Sequence, residues 1–211
     1  MTKQQEAFAL TAKSLIKELQ KRNMEGYFCE SNEKAVETFL SLLPEGSTVS
    51  WGGSESIKEC GIMDALKAGN YNLLDRSTVN GPEEFREFFS KVVLADAFLM
   101  SSNALTIKGE LVNIDGNSNR LACLLHGPKT VFVIVGMNKL VPDVEAGIGR
   151  IRNIACPANA IRLNKTTPCG ITGLCGDCYA EGCMCNQIVV TRRSGHPGRI
   201  KVLLVAENLG Y

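Results

Sequence analysis

Apolar residues recur every three or four positions along several stretches of the chain, a spacing that predicts amphipathic helices. Phe8, Leu15 and Leu19 fall on one face of the first stretch. A proline or glycine follows the apolar spacing in two others, at Pro44 and Gly69, and is expected to end the helix there. The predicted helices cover residues 8–19, 33–43, 55–69, 81–95 and 142–155.

Short runs of β-branched, aliphatic and aromatic residues lie between these helices and favour strands. The run at 130–136 is apolar almost throughout, as expected of a strand buried on both faces of a sheet. The predicted strands cover residues 47–51, 71–75, 97–101, 109–116, 130–136, 187–193 and 199–207.

Strands that alternate with helices predict an α/β fold with a mostly parallel sheet flanked by helices. The last two strands are joined by Ser-Gly-His-Pro-Gly, which predicts a C-terminal antiparallel hairpin, preceded by a Cys-rich loop at 168–186. One main domain is expected at 46–211. Residues 1–45 are expected to form an N-terminal helical segment packed on it, because connections within a domain are usually short.

The composition is that of an ordinary globular protein: among 211 residues, 45% are apolar and 21% charged. The net charge is +1, which gives no electrostatic basis for a nucleic-acid partner. The longest apolar run, Val131 to Met137, is far too short to span a membrane. The first twenty residues are charged and lack the apolar centre of a signal peptide, so we expect a cytoplasmic protein.

Three polar stretches are candidates for binding a small anion. In the first, Gly52, Gly53 and Ser54 join a strand to a helix, where backbone amides and a helix N-terminus favour negative charge. An ordinary turn with Ser54 as helix cap explains the same residues. Neither a Walker P-loop nor a G-x-G-x-x-G sequence is present, so nucleotide binding by those motifs is not indicated.

The second stretch, residues 101–120, is dense in Asn, Asp, Ser and Gly, and the third follows the buried strand at 130–136. Ligands in parallel sheets bind beyond the carboxyl ends of the strands, where the third stretch lies. Tight turns explain many isolated Asn and Asp residues, so both explanations stay open. The candidate residues of these two stretches are Asn103, Thr106, Asn113, Asp115, Asn119, Arg120, Asn138 and Lys139.

Catalytic residues are not evident. His126 and His196 are the two histidines, and neither lies in a sequence setting typical of a nucleophile and its base.

Five of the nine cysteines lie within 168–186, with the spacing C-x5-C-x2-C-x4-C-x-C. In a reducing compartment such a cluster indicates a metal site rather than disulfides. The spacing matches neither a zinc ribbon nor a bacterial ferredoxin, so it does not decide between Zn²⁺ and an Fe–S cluster. Cys29, Cys60, Cys123 and Cys156 lie in apolar or helical contexts and are expected to be small buried hydrophobic residues.

A series of motifs along nearly the whole chain resembles the lactate-utilisation (LUD) domain family. They occur in the family's order and include IKECGIMDAL, ADAFLMSSNALTIKGELVNIDGNSNR, GPKTVFVIVGMNKLV, RIRNIACPANAIRL, TPCGITGLCGDC and VLLVAENLGY. The resemblance implies a fold related to sugar-phosphate isomerases and CoA transferases. The acid-rich motif of those isomerases is not recognisable here, so their catalytic residues are not carried over.

The resemblance also implies a role in a cytoplasmic, iron–sulfur-containing system that oxidises L-lactate to pyruvate, beside partner subunits. The family's cysteine pattern falls on Cys169, Cys175, Cys178 and Cys185, whereas Cys183 departs from it.

Three functional hypotheses follow. The first is a component of a lactate-oxidising complex with an Fe–S cluster or another metal on those four cysteines. The second is an enzyme or sensor that binds a small anionic metabolite and has a structural zinc site made of four cysteines. The third is an assembly module without a site of its own.

Overall fold

Ten strands form two sheets in the computed structural model, which describes residues 2–211. The strands are β1 (Glu25–Cys29), β2 (Thr48–Trp51), β3 (Asn72–Leu74), β4 (Ala97–Met100), β5 (Ala104–Thr106), β6 (Leu111–Asp115), β7 (Thr130–Gly136), β8 (Leu140–Val141), β9 (Gln187–Thr191) and β10 (Ile200–Val205). The main sheet has the order β1-β10-β7-β4-β2-β3, and all its strands are parallel. The predicted α/β fold is confirmed.

Strand β7 lies between β10 and β4, and six of its seven residues are buried. Its side chains alternate between the two cores, with Val133 in the core on one face and Phe132 and Ile134 in the core on the other. Phe39 packs edge-on against Phe132, with ring centroids 4.9 Å apart. Burial on both faces of the sheet therefore explains why residues 131–136 include no polar side chain.

Helices cover both faces of the main sheet. The helices of the chain are α1 (Lys3–Lys21), α2 (Asn32–Leu42), α3 (Glu55–Glu59), α4 (Ile62–Ala68), α5 (Gly81–Val93), α6 (Asn119–Leu125), α7 (Val144–Arg150), α8 (Cys156–Arg162) and α9 (Pro168–Thr172), of which α7 packs on the other sheet. The core on one face contains residues of α1, α5 and α6, and the core on the other contains residues of α2, α3 and α4. No helix within residues 2–211 is long and apolar enough to cross a lipid bilayer.

The helix predicted at 55–69 is divided in two. Gly61 has a φ of +80°, in the left-handed region, and this turns the chain between α3 and α4. In contrast, the helix predicted at 142–155 continues further. A π-helical turn at Ile151–Ala155 joins α7 to α8, so that the helical segment extends to Arg162.

The second sheet is smaller and mixed, with the order β8-β5-β6-β9. Strand β9 is antiparallel as predicted, but its partner is β6 rather than β10, which joins the main sheet between β1 and β7. The burial patterns explain the exchange of partners. In β9 the exposed residues Ile188 and Val190 alternate with more buried ones, whereas five of six residues of β10 are buried. The predicted Cys-rich loop contains α9 and leads into β9.

Residues 1–45 contribute a strand as well as the predicted helices. Strand β1 pairs with β10 at one edge of the main sheet, and α1 packs directly over it. A Cβ atom at Gly26 would lie 2.8 Å from Leu19 Cδ1, so the close approach of helix and strand requires glycine there. The sequence EGYFC is too short and mixed in polarity to be recognised as a strand from its pattern.

Candidate functional site

A cleft of about 760 Å³ lies beyond the carboxyl ends of β2, β4, β7 and β10. The loop after each of these strands contributes lining residues, as expected for a parallel sheet. Eight of the eleven candidate binding residues line this cleft, although they lie far apart in the sequence. They are Gly52, Gly53, Ser54, Asn103, Asp115, Asn119, Arg120 and Lys139.

The other three candidate binding residues do not line the cleft. Thr106 is fully buried and donates its hydroxyl to the Glu110 carboxylate. Asn113 accepts a hydrogen bond from Arg120. Asn138 bonds to the backbone of residues 209–210, which follow β10.

Ser54 precedes α3, but its side chain makes no capping hydrogen bond. Gly53 has open space where a Cβ atom would be, whereas a Cβ at Gly52 would lie 3.3 Å from Arg120 Cδ. The loop after β2 therefore packs against Arg120 at Gly52, whereas it faces open space at Gly53.

Arg120 is the most extensively bonded side chain of the cleft. Its guanidinium donates to the Asp115 carboxylate at 2.9 Å, to the side chains of Asn103 and Asn113, and to the carbonyls of Ser101 and Ile114. All five of its N–H groups have acceptors, so the guanidinium organises the surrounding loops rather than offering free donors. Burial lowers its pKa from the ordinary value, and Asp115 offsets part of that effect.

Lys139 lies just beyond β7 and is only 4% exposed. Its Nζ donates to Ser56 Oγ at 2.7 Å and to Ser101 Oγ at 3.0 Å. Burial lowers its pKa to about 7, and the nearby charges of Arg150 and Arg120 add to this effect, while Glu59 opposes it. The amine is therefore neutral in a large fraction of molecules near neutral pH.

Further polar groups surround the open part of the cleft. Arg76, Arg162 and Lys165 line it, and Arg162 is paired with Glu55. The buried hydroxyl oxygen of Tyr211, another lining residue, has no hydrogen-bond partner among residues 2–211. Burial raises the pKa of Tyr211, and the neighbouring Arg162 offsets part of this effect, so the hydroxyl stays protonated and can donate to a ligand oxygen.

A second cavity, of about 390 Å³, lies beside the first and is lined by six cysteines. Five of them come from the Cys-rich loop, namely Cys169, Cys175, Cys178, Cys183 and Cys185, and the sixth is Cys156 of α8. Cys156, Cys183 and Met184 line both cavities. The thiol groups and the polar cleft therefore share a wall.

Cys156 is 9% exposed, and its Sγ lies 3.4 Å from Cys185 Sγ. This contact makes the two thiols a hydrogen-bonded pair. The bond from Cys185 lowers the pKa of Cys156, whereas the bond to Cys156 and burial raise the pKa of Cys185.

A model of the LUD domain matches residues 12–205. The chain belongs to the LUD domain family. No curated protein matches this LUD domain.

This LUD domain is similar to the crystal structure of a DUF162 family protein from Deinococcus radiodurans, with a TM-score of 0.55 at 13% identity. The match covers 94% of this chain and 98% of that one, and at this identity it shows the fold alone. The structure of eIF2B delta from Chaetomium thermophilum is similar at a TM-score of only 0.37 and 16% identity. That match covers 56% of this chain and 50% of that one.

The cysteines of this LUD domain suit a soft metal by their chemistry, because thiolates prefer Zn²⁺ and Fe–S clusters. A tetrahedral Zn–S site with bonds of about 2.3 Å places its sulfurs about 3.8 Å apart, close to the Cys156–Cys185 separation of 3.4 Å. Within residues 2–211, no three His, Cys, Asp or Glu side chains are arranged as metal ligands. The predicted ligands Cys169, Cys175 and Cys178 share the cavity with this pair.

Three contributions to the site of this LUD domain were not predicted from the sequence. Cys156 was expected to be a small buried hydrophobic residue, and its partner Cys185 is 29 residues away. Ser56 and Ser101 lie within the polar stretches but were not singled out. Nothing local to these residues indicates their role, since each acquires it through contact with a distant element.

Arg120→Met is expected to lower the free energy of unfolding of this LUD domain by about 3–5 kcal/mol. The change leaves the Asp115 carboxylate buried without its cation and also removes the donors to two carbonyls and two Asn side chains. Urea unfolding measures the effect, with the exposed Arg86→Met as the matched control. A loss below about 1 kcal/mol, similar to that of a surface substitution, would show that the network is unimportant.

The stability of this LUD domain is expected to rise with pH between about 7 and 10.5 because of Lys139. In this range the unfolded chain holds a proton on Lys139 that the folded chain has released. The gain is at most about 1.4 kcal/mol per pH unit, and it is lost as the pH falls towards 7. Urea unfolding at several pH values should show a smaller slope for Lys139→Met than for the wild type. Lys67→Met, which alters an exposed lysine, should keep the wild-type slope. Equal slopes for all three proteins would contradict the account.

Proposed function

We propose that this chain is a component of a lactate-oxidising system, in which the cleft binds a small carboxylate and the neighbouring cysteines hold an Fe–S cluster. The observation that carries the proposal is the wall shared by the two cavities, formed by Cys156, Cys183 and Met184. A ligand in the cleft would lie directly beside the thiol groups. Membership of the LUD family, which is linked to lactate utilisation, supports the same proposal.

The charges of the cleft favour a carboxylate. Four cationic side chains line it, namely Arg76, Arg120, Arg162 and Lys165, against the two carboxylates of Glu55 and Asp115, and Lys139 adds a positive charge only in the molecules in which it is protonated. Both carboxylates are paired with arginines, Glu55 with Arg162 and Asp115 with Arg120. The excess is therefore positive, and a ligand carboxylate would reduce it.

The remaining groups suit the hydroxyl or carbonyl oxygen of such a ligand. Tyr211 has a protonated hydroxyl without a partner among residues 2–211, and a ligand oxygen would give it one. Lys139 has an amine that exchanges its proton near neutral pH. Together they can hold the ligand and accept or return a proton at its reacting oxygen.

An Fe–S cluster, when bound, would accept electrons from the hydroxy acid as it is oxidised. We infer that Cys169, Cys175, Cys178 and Cys185 hold it, with Cys156 beside Cys185. Oxidation of a 2-hydroxy acid to a 2-oxo acid releases two electrons and two protons, so a further acceptor is required. Partner subunits would supply it, and the exposed apolar side chains Ile171, Leu174 and Tyr179 of the Cys-rich loop offer a surface for them.

Protein purified without oxygen is expected to contain iron and acid-labile sulfide and to absorb visible light. Cys175→Ser should lower the iron content severalfold, since it removes a predicted ligand. Cys123→Ser is the control, because Cys123 is buried in the core on one face of the main sheet. It should keep the iron even if stability falls.

Stoichiometric zinc without iron or sulfide would reject the electron-transfer role. It would favour the second candidate function, an enzyme or sensor for an anionic metabolite in which a zinc site of four cysteines braces the Cys-rich loop. The basic cleft supports that candidate independently of the metal. Protein without any metal after anaerobic purification would count against both.

A further inference from the structure

Lys139 is bonded in a way that suits a neutral amine. Its Nζ donates to the hydroxyl oxygens of Ser56 and Ser101. Ser56 in turn donates its own proton to the Leu209 carbonyl at 3.2 Å, and Ser101 donates to the Ser102 carbonyl at 3.2 Å. Both hydroxyls are therefore oriented to accept from the lysine. These two bonds use the two N–H groups of a neutral amine and leave its lone pair free.

The charges around this amine also disfavour its protonated form. Arg120 and Arg150 are the cations that act on it, and Glu59 is the carboxylate that opposes them. Arg150 is held by the carbonyls of Asn103 and Asn138, while Glu59 accepts the backbone N–H of Gly210. Both cations are fixed by their own hydrogen bonds. Burial, together with these charges, lowers the pKa of Lys139 to about 7.

The space beside the amine is kept open by a glycine. Gly210 has a φ of +55°, and a Cβ atom there would lie 2.8 Å from Ser56 Oγ and 3.5 Å from Lys139 Nζ. Any side chain at this position would fill the space against the two groups. Gly210 and Lys139 both line the cleft, so the amine is reached from the same space as a ligand.

We propose that Lys139 is a nucleophile that forms a reversible Schiff base with the carbonyl carbon of a 2-oxo carboxylate bound in the cleft. The inference rests on the carboxylate-binding role proposed above and adds a covalent step to it. A buried lysine held neutral beside open space is the arrangement that such chemistry requires.

The step balances without an oxidant or reductant. The lone pair of Lys139 Nζ attacks the carbonyl carbon, a C–N bond forms, and the electron pair of the C=O π bond moves to the oxygen. That oxygen takes a proton, for which Tyr211 is the unpartnered donor in the cleft, and the nitrogen releases one. The resulting carbinolamine loses water and becomes the imine. Arg162 and Lys165 are placed to accept the carboxylate, since both line the same cleft.

The test uses pyruvate as the probe and sodium borohydride to reduce the imine to a stable amine. Wild-type protein incubated with pyruvate and borohydride should gain the mass of one reduced pyruvyl group, and peptide mapping should place it on Lys139. Lys139→Met should gain no such mass, whereas Lys129→Met should be labelled like the wild type. Acetate, which has a carboxylate but no ketone, should give no adduct.

Calorimetric titration with pyruvate, without borohydride, separates the two proposals. Binding of pyruvate without an adduct on Lys139 would overturn the Schiff base and leave the carboxylate-binding role standing. An adduct on Lys165 or another lysine instead would overturn it as well. If pyruvate does not bind at all, both the Schiff base and the carboxylate-binding role are rejected. Since peptide mapping is done on the wild type, the result stands even if Lys139→Met fails to fold.

Discussion

The buried guanidinium of Arg120 holds the candidate site together. It connects Asp115 at the end of β6, the loop after β4 and the side chain of Asn113 in the second sheet. The parallel main sheet brings the ends of its strands to one edge, but it does not fix the loops that follow them. Arg120 does so with five hydrogen bonds, one of which is also an ion pair with Asp115, at the cost of burying its own charge. The second sheet thereby becomes one side of the cleft rather than a separate layer.

Two chemical environments meet at this edge. The cleft is polar and carries an excess of positive charge, whereas the adjoining cavity is lined by thiol groups. Helix α8 separates them and supplies Cys156 to both. Such an arrangement suits a protein in which a bound metabolite and a soft metal centre affect one another. The Cys-rich loop lies beside the cleft because β9, which follows it in the chain, pairs with β6 next to Asp115 and Gly116.

Much of the fold could be predicted from the sequence because its strands and helices have strong periodicity. The apolar run at 130–136 could only be a fully buried strand, and the structure confirms it. The pairing of the strands was harder to predict. Strands β9 and β10 are joined by a turn suited to a hairpin and yet belong to different sheets. Burial explains the pairing, since β10 is buried almost throughout, whereas β9 exposes alternate residues. Burial on both faces is a property of the assembled sheets and not of either strand alone.

The cleft could be predicted in part for a similar reason. The rule that ligands lie beyond the carboxyl ends of parallel strands located Lys139, and the density of polar residues located Asn103, Asp115 and Arg120. The role of each group could not be predicted in the same way. The neutral state of Lys139 depends on its burial and on the charges of Arg150 and Arg120 from distant parts of the chain, and the thiol pair depends on a helix outside the Cys-rich loop.

The central claim is that the cleft and the cysteine-lined cavity act together, and visible absorption spectroscopy tests it most directly. Anaerobically purified, metal-loaded protein would be titrated with pyruvate while its sulfur-to-metal charge-transfer band is recorded. The account predicts a saturable change in this band, at the same ligand concentrations that give heat in calorimetry, because Cys156 lines both cavities and is bonded to the predicted ligand Cys185. Binding of pyruvate that leaves the band unchanged would contradict it.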